Sequence, residues 1–484
     1  MYKRILACLF LFLTAAACSP FDSPTPTAVP TAAPTVAPTV AATAVPTALP
    51  TALPTDTAIP VTDTPQAIPT SAGEATPSAA EATPPTAGAT TPTAAPTSPA
   101  AEATVKPATQ KQVDKIEQET ASLRGLKPKA AVPDHFISQA QMQSSLTKQI
   151  ADEYSHADAK RDARDLWYLR LDDSPSLDLY QLQVDLLGEQ VIGYYDPDKK
   201  ELFVLNTQQP LDPEAVSTLS HEYTHSLQDQ YFDLNKVRPK HLQDNDRSQA
   251  ITSLIEGDAV LEQSLFAQQY MSAADLLSLM GASSAHPNPV LDKAPAYIRD
   301  GLIFPYEKGE QFVLALYEKG GYAAVNKAFT DPPTTSAQIL HPEKYLANPR
   351  ETALPVNLPP LTSTLGTGWT QQSSDTLGEF DLNSLLTTNG VDRPAATAGW
   401  GGARYALYAN GASVVMLMES RWDRLADVNE FETAMLDSLS KSTRNGSLWI
   451  SKGRTIGLRQ QGDAVYYVAG SDATVVNRVL AAIK

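Results

Sequence analysis

Apolar residues recur at helical spacing over residues 112–126 and again over 138–164, with Pro128 and Pro133 between the two runs. A third helical pattern covers 178–190. The period then changes. Val191-Ile192-Gly193-Tyr194-Tyr195 and the segment 201–205 are short apolar runs on either side of Asp196-Pro197-Asp198-Lys199-Lys200, which is turn chemistry, so a β-hairpin is expected. Asp212 suits a helix N-cap, Pro213 the first helical position and Glu214 the positive end of the dipole. The helix they open should run to about Tyr231. A second long helix is expected from about 244–246 to 268, with Ile251, Leu254, Ile255, Leu261 and Leu265 on its apolar face. Helical patterns follow at 297–303 and 309–329.

Residues 330–395 are rich in Pro, Thr, Ser and Gly and read as long connections with short elements. The remaining chain alternates: strands at 404–408 and 413–418, a helix at 426–439, strands near 448–450 and 464–468, and a helix at 473–483. Trp400 among glycines and Trp422 between Arg421 and Asp423 read as core residues. The fold class expected is α+β. A helical region covers 109–190, a mainly helical domain with a β-hairpin covers 191–345, and a connecting region covers 346–395. A small α+β C-terminal domain follows over 396–484.

Composition removes the first part of the chain from this packing. Of 38 prolines, nineteen lie between Pro20 and Pro107. Residues 19–108 are mostly Thr, Pro and Ala. Such a segment cannot bury enough apolar surface to offset its ordering entropy, so it is expected to be a disordered, extended stalk. Ahead of it, Lys3 and Arg4 precede an apolar run too short to span a membrane, and Ala15-Ala16-Ala17-Cys18 follows. This is an export signal over 1–18. A cysteine after three small residues resembles the bacterial lipobox, which implies a lipid anchor at Cys18 and an extracytoplasmic, membrane-tethered protein. Cleavage near Ala17 would instead give a secreted one.

Both cysteines, Cys8 and Cys18, belong to that signal, so disulfides and cysteine-based sites are excluded from the folded part. The stalk carries six acids and no Lys or Arg over 19–104. Removing that −6 and the +2 of Lys3 and Arg4 from the formal charge of −17 leaves −13. An acidic body argues against nucleic acid and against docking on anionic lipid.

The chemistry lies in His221-Glu222-Tyr223-Thr224-His225, an H-E-x-x-H pattern inside the well-capped helix. The i, i+4 spacing puts both imidazoles on one helix face, within reach of one zinc ion, and Glu222 beside it can take a proton from bound water. Zinc needs a third protein ligand. Glu256 is the choice, an acid in an apolar helical stretch beside Gly257, which permits close backbone approach. Asp258, Glu262 and His241 are weaker candidates. Asp229 and Asp258 could alternatively orient the imidazoles or lie on the solvated helix surface.

This constellation resembles the gluzincin, peptidase-MA-like zinc metallopeptidases. In these, H-E-x-x-H on one helix is completed by a Glu on a later one. H-E-Y-T-H-S-L-Q-D over 221–229 is similar to the active helix of thermolysin-like enzymes. Pro305-Tyr306-Glu307-Lys308-Gly309 is similar to the segment of alanyl aminopeptidases whose Tyr hydrogen-bonds the tetrahedral intermediate. The resemblance covers about 191–329 and implies a zincin-type fold, zinc held by His221, His225 and Glu256, and catalysis by Glu222 and Tyr306. Two features depart from the pattern. Thirty residues separate His225 from Glu256, more than is usual in these groups, and no G-x-M-E-N segment precedes the helix. Recognition of a free α-amine is thus unsupported, and the strand 201–205 is expected to offer an edge for a peptide to add as an antiparallel strand.

The function this implies is a membrane-anchored zinc metallopeptidase acting on peptide or protein substrates. The alternative is a stalked surface binding protein whose zinc site is vestigial or structural.

Overall fold

The structure is a computed structural model that describes residues 106–190, 192–205, 210–285 and 289–483. The export signal, Cys18 and the Pro/Thr/Ala-rich segment up to residue 105 lie outside the described residues, as does Val191 of the expected hairpin. Among the described residues no helix is long and apolar enough to cross a membrane.

Helix α1 (Pro107–Arg124) has proline at its first turn and stops at Gly125, whose φ of 72° lets its N–H reach back to Ala121 O. The residues just after Pro133 are not only a connection. Asp134–Ile137 forms strand β1, which the helical and hairpin patterns on either side gave no hint of. The apolar run 138–164 then divides into α2 (Gln139–Glu153) and α3 (His156–Tyr168). Ser155 explains the division, because its hydroxyl accepts from Asp158 N and caps a new helix. Helix α4 (Leu179–Gln190) leads to β2 (Gly193–Asp196), and β3 (Glu201–Leu205) returns antiparallel to it.

Strand β1 pairs parallel with β3, so the three-stranded order is β1-β3-β2. This corrects the expectation that 201–205 offers an edge. Strand β3 is the central strand, and the two edges belong to β1 and β2.

Helix α5 (Pro213–Phe232) opens as expected, with the Asp212 carboxylate accepting from Ala215 N at 2.9 Å. Helix α6 (Asn245–Tyr270) is capped by Asp244, which accepts from Arg247 N at 3.0 Å. Helix α7 (Ala273–Ala285) follows. Where two helices were expected, at 297–303 and 309–329, one helix α8 (Ala296–Thr330) runs through Pro305 and breaks instead at Gly320 and Gly321, the latter at φ 62°. Glycine pairing holds it: a Cβ placed on Gly257 would lie 2.2 Å from the Gly309 backbone, and one on Gly309 would lie 2.3 Å from Ser253 O. Helices α6 and α8 therefore cross in backbone contact, which only glycine permits.

The tail is one antiparallel sheet. Strand β4 (Thr370–Thr376) and α9 (Glu379–Thr388) precede β5 (Trp400–Asn410), β6 (Ser413–Trp422) and α10 (Leu425–Ser438). Then come β7 (Thr443–Asn445), β8 (Leu448–Ser451), β9 (Arg454–Gln461), β10 (Ala464–Gly470) and α11 (Ala473–Ala482). The order is β4-β5-β6-β10-β9-β8-β7. Strands β4, β7 and β9 were not anticipated; β7 is short and exposed, and β4 is mostly polar.

Both faces of this sheet are covered. Ala406, Val415, Leu417 and Val468 pack under α11, while Leu407, Met416, Met418 and Tyr467 join the apolar cluster that continues into the helical region. Polar ties reinforce that seam: Tyr405 Oη donates to Asp165 at 3.1 Å, and Arg170 donates to Ser438 O at 2.6 Å. Trp400 and Trp422 are buried in this core, as expected.

Candidate metal centre

Three elements converge on one buried point. Helix α5 supplies His221, Glu222 and His225, α6 supplies Glu256, and α8 supplies Tyr306. His221 and His225 are each 2% exposed, and Glu222 and Glu256 each 1%. His221 Nε2 lies 3.1 Å from His225 Nε2, and Glu256 Oε2 lies 3.4 Å from both. This is the one group of three or more metal-ligating side chains found among the described residues.

The two neighbouring glutamines fix what the imidazoles present. Gln228 Nε2 donates to Ile255 O at 3.0 Å and to Asp258 Oδ2 at 2.8 Å. Its Oε1, 2.9 Å from His225 Nδ1, must therefore accept, which places a proton on Nδ1. Gln263 repeats the arrangement: Nε2 donates to Ser217 Oγ at 2.9 Å, and Oε1 faces His221 Nδ1 at 3.3 Å. In neutral rings both Nε2 lone pairs then aim at one another and at a carboxylate. Neither Glu256 oxygen accepts a hydrogen bond. Such a buried arrangement is repulsive unless a cation or a proton sits within it.

A tetrahedral zinc ion with bonds of about 2.0–2.1 Å separates its ligand atoms by roughly 3.3 Å. The three observed spacings match that value, and two imidazoles with one carboxylate are a zinc-type donor set that leaves a fourth position. The residues present fit the ion. Without it, burial opposes charge on His225, but the Glu256 carboxylate outweighs burial and holds the imidazole up to about 9. Burial pushes His221 down. Burial also opposes ionisation of Glu256, yet the two imidazoles hold it below its ordinary value.

Glu222 stands on the side of the sheet. Its Oε2 accepts from Tyr195 N, on β2, at 3.0 Å, and burial raises its carboxyl to about 8. Strand β2 approaches closely because residue 193 is glycine: a Cβ there would meet Thr218 Cγ2 at 3.1 Å. The Tyr306 ring lies against His221, centroids 6.3 Å apart and planes 25° from parallel.

Other candidates fall elsewhere. His241 is exposed and outside the cluster. Glu262 is buried and accepts from Thr224 Oγ1 at 3.1 Å, away from the ligands. Asp229 accepts from Tyr195 Oη at 2.7 Å and from Leu234 N, and pairs with Lys200; it touches neither imidazole and is not a solvated surface acid. Asp258 reaches His225 only through Gln228. The residues that the sequence reading missed are Gln228 and Gln263. Gln228 stands three residues after His225, where side chains share a helix face, so its spacing carried a signal. Gln263 bridges two helices and carried none.

Among curated proteins and solved structures, none matches the chain. A family model described as "Domain of unknown function (DUF8575)" matches residues 364–480, which spans β4 to most of α11 and contains none of the site residues.

Proposed function

We propose that the chain is a zinc-dependent metallopeptidase with a gluzincin, zincin-type catalytic region, exported and tethered through Cys18 by its stalk. The observation that carries the reading is the spacing of the His221, His225 and Glu256 ligand atoms at 3.1, 3.4 and 3.4 Å, with both Nδ1 atoms already engaged. When bound, zinc supplies a Lewis acid and a water of lowered pKa. Glu222 accepts the proton of the attacking water and passes it to the leaving amine. Its raised affinity for a proton and its anchorage by Tyr195 N suit that role. Tyr306, beside His221, stabilises the oxyanion.

The substrate is a peptide. Strand β2 ends the sheet order, and Tyr195 N points from it toward Glu222, so a peptide adding antiparallel along this outer edge passes the general base. Full-length protein should contain zinc and cleave members of a peptide library. Glu222→Gln should retain zinc and lose cleavage, and His221→Ala should lose both. Full proteolysis by Glu222→Gln sinks the assignment.

One observation favours a second reading, a surface binding protein with a structural zinc: the ligands and Glu222 are only 1–2% exposed. Under that reading zinc is retained and wild type cleaves nothing in the library.

A further inference from the structure

The first helix has no part in the chemistry proposed above, yet it ends in a residue that reaches the centre. Arg124 stands in the last turn of α1 and is fully buried. Its Nε lies 2.9 and 3.1 Å from the two oxygens of Asp258, which is also fully buried and 134 residues away in sequence. Asp258 accepts from Gln228 Nε2 at 2.8 Å, and Gln228 Oε1 accepts from His225 Nδ1 at 2.9 Å. A chain of three contacts thus runs from guanidinium to metal ligand.

We infer that Arg124 is a positioning residue of the metal centre. It anchors Asp258, Asp258 reinforces the amide orientation of Gln228, and Gln228 holds His225 in the tautomer that offers Nε2. The inference rests on the metal reading and adds a residue that no motif identifies.

The anchor is itself held from another side. Arg124 Nη2 donates to Asn326 Oδ1 at 2.8 Å, and its guanidinium carbon lies 4.4 Å from the Tyr322 ring centroid. Both partners follow the break of α8 at Gly320 and Gly321, one turn apart on the same helix face. The break re-aims this second leg of α8, and Arg124 joins it to α1 and α6. A charge pair this deep is costly to keep unless its geometry is specified, and a site-orienting role supplies a reason for that geometry. Ile255 O, which can only accept, takes one of the two Gln228 donors and already disfavours the flipped amide. The Asp258 carboxylate occupies the other and makes the flipped amide, oxygen against carboxylate, less favourable still.

The test compares zinc affinity by chelator competition in full-length wild type and in the double variant Arg124→Leu with Asp258→Leu. This pair removes both charges together, so neither is left buried alone. Loss of such an outer partner lowers metal affinity by roughly 10–100-fold, and that loss is expected here. The difference in Tm between zinc-loaded and zinc-free protein should shrink in parallel, which a purely structural role would leave unchanged. If the double variant does not fold, Gln228→Leu, which keeps the Arg124–Asp258 pair, decides by the same measurement. A folded variant that binds zinc as tightly as wild type overturns the inference alone. Wild type that binds no zinc overturns the metal reading, and the inference with it.

Discussion

Two interiors stand side by side in this protein. The helix pair α5 and α6 buries His221, Glu222, His225, Glu256, Asp258, Glu262 and Gln228, with Arg124 beside them. The tail sheet buries Met416, Leu417, Met418, Val468 and Tyr467 on its two faces, and Tyr405 ties it to Asp165 at the seam with α3. An apolar interior is stabilised by burial itself. A polar one is stable only if every group is partnered, and the groups left over mark where a ligand belongs. In α5 and α6 most polar groups find hydrogen-bond partners in the protein; the exceptions include the Gln249 amide and the Glu256 carboxylate, which faces only the two imidazoles. The comparison predicts that metal governs one region and leaves the other untouched.

The largest effect should come from the ligands. His225→Ala is expected to abolish zinc binding and peptide cleavage together, with the circular-dichroism signature of the tail sheet unchanged. Glu222→Gln should cut cleavage by roughly 10²–10⁴-fold at constant zinc content. Loss of the sheet signal on chelation would break the comparison.

Next in size is the crossing of α6 and α8. Gly257→Val puts a branched side chain where even a Cβ meets backbone at 2.2 Å, and backbone cannot give way as a side-chain tip can. A loss of about 3 kcal/mol is expected by chemical denaturation. Because Glu256 is the neighbouring residue, zinc affinity should fall as well. Met418→Ala, fully buried in β6, should cost about 2–3 kcal/mol through its cavity and leave zinc affinity as it was. Equal effects on zinc from both substitutions would erase the distinction between the regions.

The sequence disclosed these regions unequally, for physical reasons. Helix α5 was legible because its signals are local: Asp212, Pro213 and the i, i+4 histidines all act within one helix. Glu256 was legible because an acid in an apolar helix needs a partner. The β1 strand was not, since four residues after Pro133 gain strand character only by pairing with β3, more than sixty residues later. The separation expected between 303 and 309 is absent, and the helix runs through Pro305. The α6–α8 crossing beside it, at Gly257 and Gly309, is a long-range contact that keeps the helix continuous. Arg124 and Gln263 act on the site through partners on other helices, which no periodicity encodes.

The smallest effect is a pH dependence at the seam rather than in either interior. Asp165 on α3 accepts from Tyr405 Oη, and Asp381 on α9 accepts from Tyr297 Oη at 2.7 Å and Gly378 N at 2.7 Å. Burial raises both carboxyls from 3.8 to about 6, against hydrogen bonds that lower them. Between those values the folded state holds more protons than the unfolded one, so stability falls as pH rises from about 4 through 6. His341 adds to the same trend in a later window. Its hydrogen bond to Glu379 holds it above its ordinary 6.5, so its contribution is complete below 6.5 and lost as pH rises beyond. Denaturation midpoints taken at half-unit steps should separate the two. Asp381→Asn should flatten the slope between 4 and 6 and leave the slope above 6.5, while His341→Gln does the reverse. Zinc should not alter the Asp381 window, because that carboxyl lies outside the metal cluster; a window that moves with zinc would show the two interiors to be coupled through the seam.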